Sequence, residues 1–348
     1  TYSLRNNGKS DGSAQSDLSA PRTGDEATMA LLGALPVLLR PEAKLAANIG
    51  FGTGLTAHAL LASQRLERLD TIEIEPAVVH AARTFMPLNR RAFEDPRSRV
   101  HIEDAKTFFS SHQARYDVIV SEPSNPWVSG VASLFSAEFY QHVRRHLNEG
   151  GLFVQWVQLY EFSPHLLASV IEALRPAFSD YVIWLPNDGD MIITAVHGGS
   201  VGELDAQAFG NPALAATLAP FNIRGLDDLK MHRVGGKKTM DPYFRSFGAE
   251  ANSDFFPLID LHAAKARFMR TRATGAVRLT ENALPLLDLF EPGHMPDPTR
   301  VTVGPRPGGM LRPLFASQAL AVRDYILRGD PGLLDKMTPE LAGELAML

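Results

Sequence analysis

The sequence predicts an α/β fold whose mostly parallel sheet ends in an antiparallel hairpin. Three observations lead there. From about residue 44 to 196, short apolar runs alternate with helical patterns and little spare loop, which is the pattern of a parallel sheet covered on both faces. A glycine cluster, Gly50-Phe51-Gly52-Thr53-Gly54, lies between the first run and the first helix of that alternation, where a tight turn and close backbone approach to a ligand are needed. The last two apolar runs are separated only by residues 186–190, too few for a crossover helix and suited to a hairpin.

In chain order, the first 27 residues are rich in Ser, Asn, Gly and Asp and read as turns with a short hairpin around Asn6-Asn7-Gly8. An amphipathic helix is expected over 27–39, closed by Pro36 and Pro41. Seven strands follow, at 45–49, 69–75, 99–102, 116–121, 151–158, 181–185 and 191–196. Helices over 55–66, 77–85, 105–112, 134–147 and 164–177 connect them. Beyond about residue 198 the character changes to Gly-Pro punctuation with helical segments at 263–271, 283–290 and 317–328. Residues 291–313 hold six prolines and four glycines and read as a linker or surface loop. The expected organisation is therefore a lid segment and helix (1–43), a nucleoside-binding domain (44–198) and a mainly helical region (199–348).

Composition narrows the chemistry. A chain of 348 residues allows about two domains, and 45% hydrophobic with 21% charged residues fits a globular protein with a real core. Without cysteine there is no disulfide, thiolate zinc site, cysteine nucleophile or cysteine-ligated cluster. The net charge of −5, from 34 basic and 39 acidic residues, argues against a nucleic-acid partner. No apolar stretch approaches the roughly 18 residues of a membrane helix; the best, residues 30–39, is interrupted by Pro36. The start at Thr1 suggests a processed form or a piece of a longer chain. His142 and His146 lie four apart on an expected helix, but Arg144 and Arg145 between them oppose a cation, so no metal site is expected. The basic run Lys265, Arg267, Arg270 and Arg272 reads as a solvated helix face.

The constellation that carries chemistry lies at consecutive strand ends. Glu73 follows Gly50 by 23 residues, where a carboxylate can accept both hydroxyls of a ribose. Asp104, followed by Ala105, ends the third strand and can accept from an adenine amino group. The glycine loop has neither the lysine of a phosphate loop nor a third glycine at dinucleotide spacing, so an adenosine ligand without pyrophosphate fits best. Gln158 and Tyr160, at the tip of the fifth strand, border the same crevice, whereas Trp156 reads as core.

The fourth strand runs into Ser121-Glu122-Pro123-Ser124-Asn125-Pro126-Trp127. With the glycine loop, Glu73-Ile74-Glu75-Pro76 and Asn7-Gly8-Lys9, this resembles the spermidine synthase (polyamine aminopropyltransferase) family, and most closely the branch fused to membrane transporter-like segments. The resemblance implies a Rossmann-like class I methyltransferase fold and a small N-terminal β-hairpin lid. It also implies a substrate that is S-adenosylmethionine or its decarboxylated form, with no other cofactor. Position by position, Gly50, Gly52, Thr53 and Gly54 would cradle the methionine-derived part, Glu73 the ribose, and Asp104 with Ala105 the adenine. Asn7 and Gln15 would belong to the lid, and Glu122 and Asn125 to the catalytic site. The implied reaction is aminopropyl transfer to an amine acceptor with release of methylthioadenosine. A homodimer and a cytoplasmic location, tethered through a membrane domain, are further expectations from the same source.

The sequence departs from the family where Thr53, Glu122 and Asn125 stand in place of aspartates. Loss of two carboxylates weakens a diamine pocket. A second expectation follows: an S-adenosylmethionine lyase in which the ligand carboxylate attacks its own γ-carbon, giving methylthioadenosine and homoserine lactone without an acceptor. Methyl transfer and a non-catalytic ligand sensor are two further readings.

Overall fold

A computed structural model describes every residue except 7, 8, 18, 129, 282–286, 288, 289, 298, 299, 303–312 and 348. Asn7, the expected helix at 283–290 and much of the proline-rich stretch thus lie largely or wholly outside the described residues.

The chain opens with an antiparallel hairpin, β1 (Tyr2–Asn6) and β2 (Lys9–Ala14), followed by helix α1 (Gly24–Leu39). Thr23 caps α1: its hydroxyl accepts from the Glu26 amide while the Glu26 carboxylate accepts from the Thr23 amide. The expected amphipathic character is not what the structure shows. Every residue from Glu26 to Leu39 is buried, because helix Pro212–Leu218 of the C-terminal region covers the side of α1 that would otherwise meet solvent. Pro36 lies inside the helix rather than ending it.

The alternating unit then runs β3 (Leu45–Ile49), α2 (Leu55–Leu60), β4 (Arg68–Glu73), α3 (Pro76–Ala82), α4 (Arg90–Glu94), β5 (Ser98–Ile102) and α5 (Ala105–Ser111). It continues as β6 (Tyr116–Ser121), α6 (Ala137–Arg145), β7 (Leu147–Gln158), α7 (Pro164–Leu174), β8 (Asp180–Trp184) and β9 (Asp190–Val196). The sheet order is β10-β8-β9-β7-β6-β3-β4-β5, with β3 to β7 parallel and β8 and β9 antiparallel. Alternate residues of the central strands feed two cores. Ala47, Ile49, Ile119 and Phe153 join one, while Ala46, Val118, Val120 and Leu152 join the other, with α1 and α2. The sheet is therefore wound with helices on both faces, in the Rossmann-like order.

Eight strands stand where seven are expected. The extra one, β10 (Arg233–Gly236), comes from the C-terminal region and pairs antiparallel with β8. That region is not purely helical, and Val234, Met240, Phe244, Ile259 and Ala263 pack in the same core as Phe153 and Ile193. A four-residue strand holding two glycines leaves no alternation to read, so its pairing is set by β8 rather than by its own pattern. The helix expected over 134–147 is also split, into a 3-10 turn (Val131–Phe135) and α6.

Close packing of α1 on α2 rests on Gly33. A Cβ there would stand 2.5 Å from Ala59 Cβ and 2.6 Å from the Thr56 carbonyl oxygen. Gly33→Ala is expected to lower stability by about 1–3 kcal/mol by forcing the helices apart, measured as a drop in urea midpoint at unchanged m-value.

Candidate active site

The parallel strands β3 and β6 are neighbours from which the chain order departs in opposite directions, so a crevice opens beyond their carboxyl ends. A cavity of about 280 Å³ occupies it. Gly50, Gly52, Glu73, Asp104, Ala105, Glu122, Asn125 and Tyr160 all line this cavity, as the strand-end reading predicts. Leu4 and Gly12 of the hairpin also line it, so the hairpin forms one of its walls.

The glycine loop needs its glycines. Gly50 has φ +91°, and a Cβ on it would lie 2.3 Å from the Glu122 carbonyl oxygen. Gly52, at φ +50°, meets nothing within 4 Å and faces open space. Glu73 accepts from the amides of Phe51 and Glu75, both at 2.9 Å, which holds one oxygen toward the loop and the other toward α3. Its remaining lone pairs are free to receive a pair of hydroxyls. Asp104 caps α5 through the Thr107 amide at 2.9 Å and still borders the cavity. Ile74, 68% exposed at the cavity lining, and Val78 offer apolar surface suited to a flat ring.

Across the crevice, the Glu122 carboxylate accepts from the Thr56 hydroxyl at 2.6 Å. Burial raises its pKa from the ordinary 4.5 to about 7; the Thr56 bond opposes the rise, and the charges of Asp190 and Asp25 add to it. Asn125 is buried and donates to Gln158 Oε1 at 2.8 Å and to the Tyr160 hydroxyl at 3.3 Å.

Four expected site residues do not line the cavity. Thr53 is wholly buried, its hydroxyl 2.9 Å from the Met29 sulfur and its carbonyl held by Asn89, so the loop's left-handed turn directs this side chain under the hairpin. Gly54 caps α2 in the left-handed region instead of touching the cavity. Gln158 lies behind Asn125 as its acceptor, and Gln15 accepts from Thr1 outside the cavity. Conversely, Trp156 does face the cavity and donates its indole N–H to Asp190 at 3.0 Å.

Asp25 and Asp190 are carboxylates of the cavity that the sequence reading does not pick out. Asp25 sits in the first turn of α1, where an acidic residue reads as a helix-start signal, and accepts from Ser13 at 2.6 Å. Asp190 opens β9, opposite Gln158 in the antiparallel register. An antiparallel strand begins at the edge where its parallel neighbour ends, and this topological signal could have placed Asp190 in the site.

The C-terminal region supports two cavity walls. Asn252 donates to the carbonyls of Ala132 and Phe135 and accepts from the Ile259 amide, holding the 131–135 turn whose Val131 and Leu134 line the cavity. Residues 271–273 run beside 159–162, bridging Tyr160 to Arg272. Among the described residues no helix is long and apolar enough to cross a membrane.

Residues 26–196 match the family model described as the spermine/spermidine synthase domain. The chain is 30% identical over 207 residues to the polyamine aminopropyltransferase of Nitrosomonas europaea, covering 58% of this chain and 61% of that protein. It is 36% identical over 125 residues to polyamine aminopropyltransferase 1 of Pseudomonas aeruginosa, covering 36% of this chain and 43% of that one. The spermidine synthase of Thermotoga maritima is a structural neighbour at TM-score 0.47 and 22% identity, covering 53% of this chain and 65% of that one. The chain thus spans less than two thirds of the length of these curated relatives.

Asn252→Ala leaves two carbonyls and one amide unpaired in a buried setting. The expected cost is about 2–4 kcal/mol, read as a fall in Tm, with loosening of the 131–135 wall seen as faster amide exchange there.

Proposed function

We propose that this chain transfers an aminopropyl group from decarboxylated S-adenosylmethionine to an amine, with Glu122 as general base. The observation that carries the reading is a carboxyl group, Glu122, whose pKa burial raises to about 7, in a cavity also lined by Gly50, Gly52, Glu73 and Asp104. In this reading Glu73 receives the ribose hydroxyls, Asp104 and the Ala105 amide face the adenine, and Gly50 and Gly52 let the backbone approach the sulfonium arm. Asn125, fixed by Gln158 and Tyr160, orients the acceptor.

The chemistry asks for a base of this strength. An alkylammonium has no lone pair and holds its proton well above neutral pH, so attack must be coupled to proton removal. The amine nitrogen then forms a bond to the propyl carbon. The carbon–sulfur bond breaks with its electron pair left on sulfur, and the proton passes to Glu122 and on to solvent. Negative charge in the cavity favours both the approaching cation and the sulfonium. Of the two residues that motivate the acceptor-free lyase, Thr53 turns away from the cavity and Asn125 lines it as a neutral group already bonded to Gln158 and Tyr160, so neither favours that reading.

The test is methylthioadenosine release from decarboxylated S-adenosylmethionine with and without putrescine. Release only with the amine is the expected result; release without it, or none, overturns the reading. Because Glu122 acts as the unprotonated form, kcat/KM is expected to rise with pH through about 7. Glu122→Gln should lower the rate about 10²–10⁴-fold and abolish that limb. Thr56→Val, which removes the donor that lowers the Glu122 pKa, should move the limb to higher pH. Stability carries the same signature. A carboxyl whose folded pKa lies above 4.5 favours the fold when protonated, so its contribution falls away between pH 4.5 and 7, and Glu122→Gln should flatten that slope.

A further inference from the structure

We propose that Asp190, assisted by Asp25, is the residue that selects acceptors carrying a second cationic nitrogen. The inference rests on the amine-acceptor reading above and assigns its specificity to residues outside the motifs that carry that reading.

Asp190 is 6% exposed, lines the cavity and is built into place rather than left loose. The Thr28 hydroxyl donates to its Oδ2 at 2.7 Å and Asn187 Nδ2 at 2.9 Å, while the Trp156 indole donates to Oδ1 at 3.0 Å. Three neutral donors stabilise the carboxylate without neutralising it. Oδ1, with one donor, retains capacity for another, and among the residues whose side chains are described no arginine, lysine or histidine bonds to Asp190. Asp25 reaches the same cavity from α1 and is bonded there by the Ser13 hydroxyl. Burial raises the pKa of Asp190, opposed by its three donors, and the Asp25 charge raises it further. Glu122, Asp190 and Asp25 are three of the seven carboxylates that line the cavity, with Glu73, Glu75, Glu103 and Asp104, and a bound dication relieves the repulsion among them in a way that a monoamine cannot. Glu122 takes the proton of the attacking nitrogen, which leaves Asp190 and Asp25 for the nitrogen that stays charged. Asn125, neutral and already shared between Gln158 and Tyr160, supplies no charge for that task.

The experiment compares putrescine with n-butylamine, which has the same carbon length and one nitrogen, using decarboxylated S-adenosylmethionine as donor. The wild-type chain is expected to prefer putrescine. Asp190→Asn should reduce the putrescine-over-butylamine ratio of kcat/KM about tenfold to a hundredfold, the range for a charge-assisted bond. The loss should appear as a raised putrescine KM rather than a lowered kcat, and methylthioadenosine binding reports whether the variant's pocket is folded. Asp25→Asn, at a less buried position, should shift the ratio in the same direction by a smaller factor, and it serves as the deciding variant if Asp190→Asn fails to fold. An unchanged ratio in a folded variant overturns the inference while leaving the amine-acceptor reading intact. Absence of amine-dependent methylthioadenosine from the wild type overturns both.

Discussion

Gly50 and Glu122 meet backbone to backbone, closely enough that a single methyl group at Gly50 would sit 2.3 Å from the Glu122 carbonyl oxygen. Most of the site depends on that approach. The Glu122 amide donates to the Ile49 carbonyl and the Gly50 amide to the Ile72 carbonyl, so the ends of β3, β4 and β6 are tied at one level. Strand ends held at one level bring the carboxylates of Glu73 and Glu122 to two walls of one cavity. A side chain on residue 50 would drive β6 away from β3 and separate these two halves. The glycine is required by contact between strands as much as by the shape of a ligand.

Given that geometry, electrostatics explains why the cavity suits a cation. Glu122, Asp190 and Asp25 raise one another's energy when ionised, and the donors around them are hydroxyl, amide and indole groups that ease the charge without cancelling it. Replacement of aspartate by asparagine at 125 therefore does not leave the pocket neutral. The charge is carried instead by α1 and by the start of β9, on the side of the cavity covered by the hairpin. Both residues are bonded to neighbours remote in sequence, Asp190 to Thr28 across 162 residues and Asp25 to Ser13 in the hairpin.

This distinction marks what could be read in the sequence. Strand β3 and strand β6 fall on their expected residues, because each is a short apolar run bounded by turn signals and buried on both faces. Gly50, Glu73, Asp104 and Glu122 follow from strand ends, since a parallel sheet presents all its carboxyl ends on one edge. Thr53 was misplaced because adjacency within a loop does not fix which way a side chain turns; the positive φ values at Gly52 and Gly54 decide it. Asp25 and Asp190 were hidden for the opposite reason. Each occupies a position with an ordinary local explanation, a helix start and a hairpin turn, and only long-range packing reveals a second role.

The C-terminal region extends that lesson from residues to walls. Its sequence shows no motif, yet Asn252 reaches across 120 residues to the Ala132 carbonyl, and β10 extends the sheet beyond β8. Asn252 is 1% exposed and bonds to backbone on both sides, so it acts as a joint between two segments rather than as a turn residue alone. A cavity wall made of a 3-10 turn has too few internal hydrogen bonds to stand by itself. The joint supplies the missing constraint, and the segment 271–273 does the same for Tyr160. These pieces share one core with the sheet and hold the cavity walls that carry Val131, Leu134 and Tyr160. The wall proposed to face the acceptor is therefore built from segments distant in sequence, whereas Gly50, Glu73 and Asp104 stand at or just beyond the ends of the first three parallel strands.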